Sequence, residues 1–105
     1  MRNMTAQEIM NKGKKMTVKA TAYTSCPSEG GAYSYSGKRL KIGMIAADLK
    51  VLPIGTKVYI PHFNKWYTVE DTGRAIKGNK IDIFMNSKWE CKQWGIKTIE
   101  IYVFE

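Results

Sequence analysis

Turn-forming residues set the grain of this chain. Pro27, Gly30-Gly31, Gly37, Pro53, Gly55, Gly73 and Gly78 divide it into short segments rich in Val, Ile, Thr and Tyr. Such segments read as strands, and their frequent interruption leaves no room for long helices. Met16–Thr24, MTVKATAYT, alternates as a half-buried strand should. Met44–Ala47 is a short apolar run. Thr56–Pro61 and Trp66–Val69 read as strands joined by a hairpin tip at Phe63-Asn64-Lys65. Lys80–Phe84 and Thr98–Phe104 complete a set of six. Helical signals are confined to two places. Thr5 and Glu8 form a capping box that Gly13 terminates, and Ser87–Trp94 reads as an amphipathic turn or two. The expectation is an all-β fold with one or two short helices, closed or nearly closed into a barrel.

At 105 residues the chain holds one domain and one core. Residues 1–15 are read as a short N-terminal helix or linker, and 16–105 as the barrel. Residues 1–15 lack the apolar run of a signal peptide, and no stretch is long enough to span a membrane. A substrate outside the cytoplasm therefore implies one of two routes. The chain is secreted or wall-associated as part of a longer exported protein, or it is phage-encoded.

Seventeen Lys and Arg against nine Asp and Glu give a net charge of +8. Such a surface attracts polyanions, whether nucleic acid or the anionic polymers of a Gram-positive wall. The basic residues are scattered, at Lys12, Lys14 and Lys15, at Lys38, Arg39 and Lys41, and at Lys77 and Lys80. Zinc-finger spacing, an arginine-rich arm and an aromatic RNA-binding signature are all missing from the sequence, so nucleic acid is not the expected partner. Two cysteines, Cys26 and Cys91, exclude a framework of several disulfides and leave one bridge open. Cys91, inside SKWECKQWG, reads as a buried free thiol.

Carboxylates are the candidates for chemistry. Asp82 lies in KIDIF, where Ile81 and Ile83 face one way and Asp82 the other. Asp is disfavoured in strands, so the position either faces solvent or needs the charge. Asp71 opens Asp-Thr-Gly directly after a strand, where a carboxylate can accept N–H bonds from the turn it starts. Asp48 ends the Met44–Ala47 run in the same way. Asp-Thr-Gly also occurs in aspartic proteases, but Glu70 stands where an apolar residue belongs, and TIEIYVF lacks the supporting glycine turn. Three aspartates could instead hold Ca²⁺ or Mg²⁺. The single histidine, His62, reads as a surface loop residue, so a zinc site is not expected. No cofactor is required by this reading. Tyr33 and Tyr35, in the long polar stretch Ser25–Lys41, suit stacking on sugar faces, whereas Trp89 and Trp94 suit the core.

The string VEDTGRAIKGNKIDIF resembles the signature of the 3D domain, a family named for three aspartates. ATAYT at Ala20–Thr24, GMIAAD ending at Asp48, VLPIGTKVYI at Val51–Ile60 and WGIKTIEIYV at Trp94–Val103 match in order. The resemblance implies a six-stranded double-psi β-barrel similar to the catalytic domain of MltA-type lytic transglycosylases. It implies Asp82 as general acid/base, Asp71 beside it, and Asp48 completing the cluster. Thr24, Thr72 and Lys77 would contact sugar or peptide. The partner would be peptidoglycan glycan strands, cut at the MurNAc–GlcNAc bond, or bound without cleavage by a wall-binding module. Arg74 replaces a family glycine. It is either a strain at a positive φ or a cation that holds a neighbouring carboxylate ionised. Transglycosylases of this type carry a second domain that walls the groove, a part that a homodimer would supply here.

Overall fold

The computed structural model describes residues 4–25 and 33–104. Six strands close into a barrel in the order β1-β5-β2-β4-β3-β6. They are β1 (Lys14–Tyr23), β2 (Met44–Ala47), β3 (Lys57–Ile60), β4 (Lys65–Asp71), β5 (Lys80–Phe84) and β6 (Lys97–Phe104). Two neighbouring pairs, β1 with β5 and β2 with β4, run parallel, and the other four pairs are antiparallel. Parallel neighbours require crossover connections. The described parts of the segments between β1 and β2 and between β4 and β5 both carry candidate site residues.

Alternation fills the interior. Val18 and Ala20 of β1, Ile45 and Ala47 of β2, Val58 and Ile60 of β3, Val69 of β4, Ile81 and Ile83 of β5, and Ile101 and Val103 of β6 form one core cluster. Their β-branched side chains suit a pleated, closed surface. The β3–β4 connection turns at Asn64, whose φ of 51° is the left-handed conformation that asparagine tolerates. The Tyr59 hydroxyl donates to the Asn64 side chain and braces it.

Helix α1 (Ala6–Lys12) begins with the expected capping box. The Glu8 amide donates to Thr5 Oγ1 at 3.1 Å and the Thr5 amide to Glu8 Oε1 at 3.3 Å. Gly13 ends it, and a Cβ there would lie 2.6 Å from the Phe104 ring, so the chain passes close against β6. Helix α2 (Lys88–Trp94) is capped by Ser87 and is anchored by Trp94, whose Nε1 donates to the Ala20 carbonyl at 3.0 Å. Trp94 is buried in the core, as expected. Trp89 is not: it exposes 68% of its surface, because α2 is held to β1 through Trp94. Cys91 is a half-buried free thiol, pushed up by burial and then by the nearby Asp82 charge. Cys26 lies outside the described residues, as does the 26–32 part of the Ser25–Lys41 stretch. His62 is exposed, edge-on to Phe63 and Trp94 at 5.0 Å each.

Candidate active site

The site begins with β5. Its alternation puts Ile81 and Ile83 in the core and turns Asp82 outward. Parallel pairing sets Thr21 of β1 beside Asp82 on one side, and antiparallel pairing sets Ala46 of β2 beside it on the other. Ala46 is also the register partner of Asp71 at the end of β4. That second pairing depends on a bulge. Ile45 pairs with Val69, but Ala46 pairs with Asp71, so Glu70 is the extra residue. A bulge re-aims the side chains that follow it. Here it moves Asp71 off the face of Val69 and onto the one that Ala46 and Asp82 share. The small Ala46 side chain is all that stands between the two carboxylates along β2.

The two carboxylates are both half-buried but are hydrogen-bonded very differently. Asp71 accepts three hydrogen bonds: from the Tyr23 hydroxyl at 3.2 Å on Oδ2, and from the Tyr35 and Thr72 amides at 2.9 Å each on Oδ1. Asp82 accepts from Thr21 Oγ1 at 3.0 Å, its one side-chain donor among the described residues. Burial pushes the Asp82 carboxyl above the usual carboxylate range. The Thr21 hydrogen bond and the Lys80 charge oppose that rise, and the Asp71 charge adds to it. Tyr23 stays protonated. Burial first, then the Asp71 and Asp82 charges, hold its phenol far above the ordinary value.

Asp48 has backbone partners of its own. Its Oδ1 accepts from the Lys50 amide at 3.1 Å and its Oδ2 from the Gly78 amide at 2.9 Å. The Gly78 hydrogen bond, then that of Lys50, holds Asp48 below the usual carboxylate range, with Lys77 and Lys50 adding their charges. Gly78 has a φ of 66°, where a side chain would be strained. Among the described residues no three acidic, histidine or cysteine side chains are grouped so as to hold a metal ion. Asp48 is half of a clasp on the 72–79 loop. Thr72 Oγ1 donates to the Ala47 carbonyl at 2.8 Å at one end, and Asp48 holds Gly78 at the other. Lys80 Nζ donates to the Ala75 carbonyl at 3.2 Å inside the same loop.

The remaining predicted residues surround this row. Tyr33 and Tyr35 each expose 63% of their surface. They sit on a tight turn in which Tyr33 bridges to Arg39 and the Ser34 amide donates to the Lys38 carbonyl at 2.8 Å. The turn is pinned to the end of β4 by the Ser36 amide on the Glu70 carbonyl at 3.1 Å, and by Lys38 Nζ on Glu70 Oε2 at 2.7 Å. The Lys38 hydrogen bond leads the interactions that hold Glu70 below its ordinary value. Thr24 lies one residue past β1, half-buried, while Thr21 and Tyr23 are the members of ATAYT that reach the carboxylates. Sequence reasoning missed both. The signal was present: Thr21 and Tyr23 alternate with the buried Ala20. Lys77 and Arg74 are exposed on the 72–79 loop. Arg74 is unstrained, since Asn64 is the one described non-glycine residue at positive φ. The cations acting on Asp48, Glu70 and Asp82 are lysines.

Comparison with known proteins fits this geometry. The model of the 3D domain family matches residues 43–105, from the start of β2 to the end of the chain. The chain belongs to the 3D domain family. It is 41% identical over 96 residues to the cell wall-binding protein YocH of Bacillus subtilis, covering 86% of this chain and 32% of YocH. It is also 41% identical over 95 residues to the putative cell wall shaping protein YabE of the same organism, covering 87% of this chain and 23% of YabE. The chain therefore spans a third or less of either relative. Among solved structures it resembles MltA from E. coli, with a TM-score of 0.56 and 20% identity over 70% of this chain and 27% of MltA. MltA with bound chitohexaose matches equally well, at 0.56. At that identity the likeness establishes the fold, a double-psi barrel.

Proposed function

We propose that this domain binds the glycan strands of peptidoglycan and cleaves the MurNAc–GlcNAc bond as a lytic transglycosylase, with Asp82 as general acid and then base. The observation that carries the reading is the contrast between the two carboxylates. Both are half-buried, but Asp71 accepts from three donors, whereas Asp82 has one side-chain donor and a raised proton affinity. A general acid works best when it is still protonated near the working pH.

The reaction follows with one proton cycling. The Asp82 carboxyl gives its proton to the glycosidic oxygen as the bond from that oxygen to C1 of MurNAc breaks. The 2-acetamido oxygen stabilises C1 from the far side. The C6 hydroxyl of the same sugar then attacks C1, and its proton returns to Asp82. The products are a 1,6-anhydro-MurNAc end and a free GlcNAc hydroxyl, with no water consumed. Thr21 orients Asp82. Tyr23 and the Tyr35 amide fix Asp71, whose charge keeps the Asp82 proton from leaving early. Tyr33 and Tyr35 offer aromatic faces to the sugars, Thr72, Arg74 and Lys77 belong to the loop over which the strand would lie, and Thr24 follows β1.

A second reading is a wall-binding module without catalysis. It is favoured by the wall-binding name of YocH and by the basic surface. Digestion of purified peptidoglycan, with products analysed by mass spectrometry, separates the two. Anhydro-muropeptides that disappear with Asp82→Ala support transglycosylation. New reducing ends without the anhydro mass indicate hydrolysis. Binding to the wall with no soluble product leaves the binding module.

A further inference from the structure

A concavity of about 370 Å³ opens where β5 leaves the barrel for α2. Phe63, Phe84, Trp89 and Trp94 wall it, and Gln93, Lys97 and Glu90 bring polar groups to it. The Lys97 ammonium lies 5.1 Å over the Trp94 ring, and Glu90 accepts from the Asn86 amide. Its size falls at the lower end of the range for small-molecule sites, and aromatic walls with a few polar groups are the usual lining of such sites. Trp89 contributes nothing to the core and exposes 68% of its surface. An exposed indole beside an apolar pocket marks a contact surface.

Phe84 links the pocket to the carboxylate row. It lines the pocket, and its ring also meets the Tyr23 ring edge-on at 5.7 Å. Phe84 lies two residues beyond Asp82 on the same strand, roughly 7 Å along it. Helix α2 flanks both features: its Trp89 walls the pocket, and its Cys91 feels the Asp82 charge. A polymer whose reacting bond sits at Asp82 reaches the pocket when it runs along β5 toward Phe84. A flat aromatic face, an amide and an ammonium match the C–H face, acetamido group and hydroxyls of an amino sugar.

We infer that this pocket is an accessory site for an N-acetylhexosamine unit of the glycan, adjacent to the carboxylates and resting on the glycan reading above. The Trp89 indole stacks on the sugar ring, and Gln93 and Lys97 hold its polar edge. The site lengthens the binding groove without taking part in the chemistry.

Titration of the ¹⁵N-labelled protein with chitohexaose tests this. Chitohexaose is expected to shift the Trp89 indole and the Gln93 and Met85 amides as well as those of Thr21 and Asp82. Trp89→Ala should lower affinity about tenfold, the effect of removing one well-packed aromatic anchor. Trp89→Tyr should recover most of it. Cellohexaose, which lacks acetamido groups, should bind more weakly. Shifts confined to Thr21 and Asp82, or unchanged affinity in Trp89→Ala, would overturn the accessory site and leave the glycan reading intact. Absence of chitohexaose binding would overturn both. Pocket binding without cleavage of peptidoglycan would sink the catalytic reading and keep the accessory site. A dimer that Trp89→Ala converts to monomer, with no sugar shifts at the pocket, would make the surface a self-interface and overturn the proposal.

Discussion

Tyr23 at the end of β1 and Asp71 at the end of β4 are joined by a hydrogen bond of 3.2 Å from the phenol to Oδ2. The phenol is therefore the only side-chain hydroxyl among the described residues that donates to Asp71, and it also feels the Asp82 charge. It compensates part of the Asp71 charge that Asp82 would otherwise face. Tyr23→Phe removes that compensation and keeps the ring contact with Phe84. Glycan cleavage is expected to fall about tenfold, as for loss of one hydrogen bond to a charged group of about 1.5 kcal/mol. Asp82 should also hold its proton to higher pH, moving the alkaline limb of the activity profile upward. An unchanged pH profile would show that Tyr23 does not couple the two carboxylates.

Asp82 itself makes a prediction about stability. Burial raises its proton affinity in the folded state above that of the unfolded chain. The folded state then binds more protons between the two values, so this group's contribution to stability falls as pH rises through that window. Below the unfolded value both states are protonated and the difference vanishes. Asp82→Asn cannot ionise, and its amide oxygen still accepts from Thr21. The variant should melt above the wild type at neutral pH, and the gap should close on acidification to about pH 3, below the ordinary Asp value. The same substitution should reduce cleavage by roughly 100- to 10,000-fold, the usual contribution of a general acid. A variant that is inactive but no more stable at pH 7 would mean that Asp82 is not desolvated.

Much of this was legible in the sequence because its determinants are local. The Thr5–Glu8 capping box, the alternation of Ile81, Asp82 and Ile83, and the turn residues around Asn64 each specify their own neighbourhood. The meeting of Asp71 and Asp82 was legible only through the order of the family blocks. Its physical cause, the extra residue Glu70 in the pairing of β4 with β2, arises between two strands and leaves no mark on either one alone. Trp89 misled for a related reason. Helical spacing says that α2 has an apolar face, but Trp94 alone occupies it, through the Ala20 carbonyl. Asp48 ends an apolar run just as Asp71 ends a strand, yet what it faces is a backbone amide 30 residues away.

One salt bridge helps to hold the Tyr33–Tyr35 turn, beside the Tyr35 and Ser36 amide bonds. Lys38 is the partner of Glu70, which is buried to 6% exposure. Lys38→Met removes the cation bonded to that carboxylate and leaves it the Ser36 hydrogen bond and the Lys57 charge. Because the Lys38 ammonium is largely solvated, the loss should be about 1 kcal/mol rather than the larger value for a fully buried pair. Glu70 has a lowered proton affinity in the folded state, led by the Lys38 hydrogen bond. Its contribution is therefore present above the unfolded value and lost as pH falls through the folded one. Urea unfolding from pH 7 to pH 3 should show a shallower acid decline in Lys38→Met than in wild type. Glycan affinity should fall with it if the turn presents the tyrosines to substrate.

Asp48 tests whether the third aspartate is chemical or architectural. Its two oxygens are both taken by backbone amides, of Lys50 and Gly78, and its proton affinity is lowered chiefly by the Gly78 bond. Through Gly78 it closes the loop that Thr72 fastens at the other end, and that loop joins Asp71 to the strand bearing Asp82. Asp48→Ala should therefore speed hydrogen exchange at the Gly78 and Lys50 amides, lower the melting temperature, and reduce cleavage by loosening the loop. The alkaline limb set by Asp82 should not move. Asp48→Asn, with one acceptor oxygen left, should fall between wild type and Ala in both exchange and activity. If Asp48→Asn instead abolishes cleavage as fully as Asp82→Asn while the Gly78 amide stays protected, Asp48 acts on substrate and the clasp is secondary.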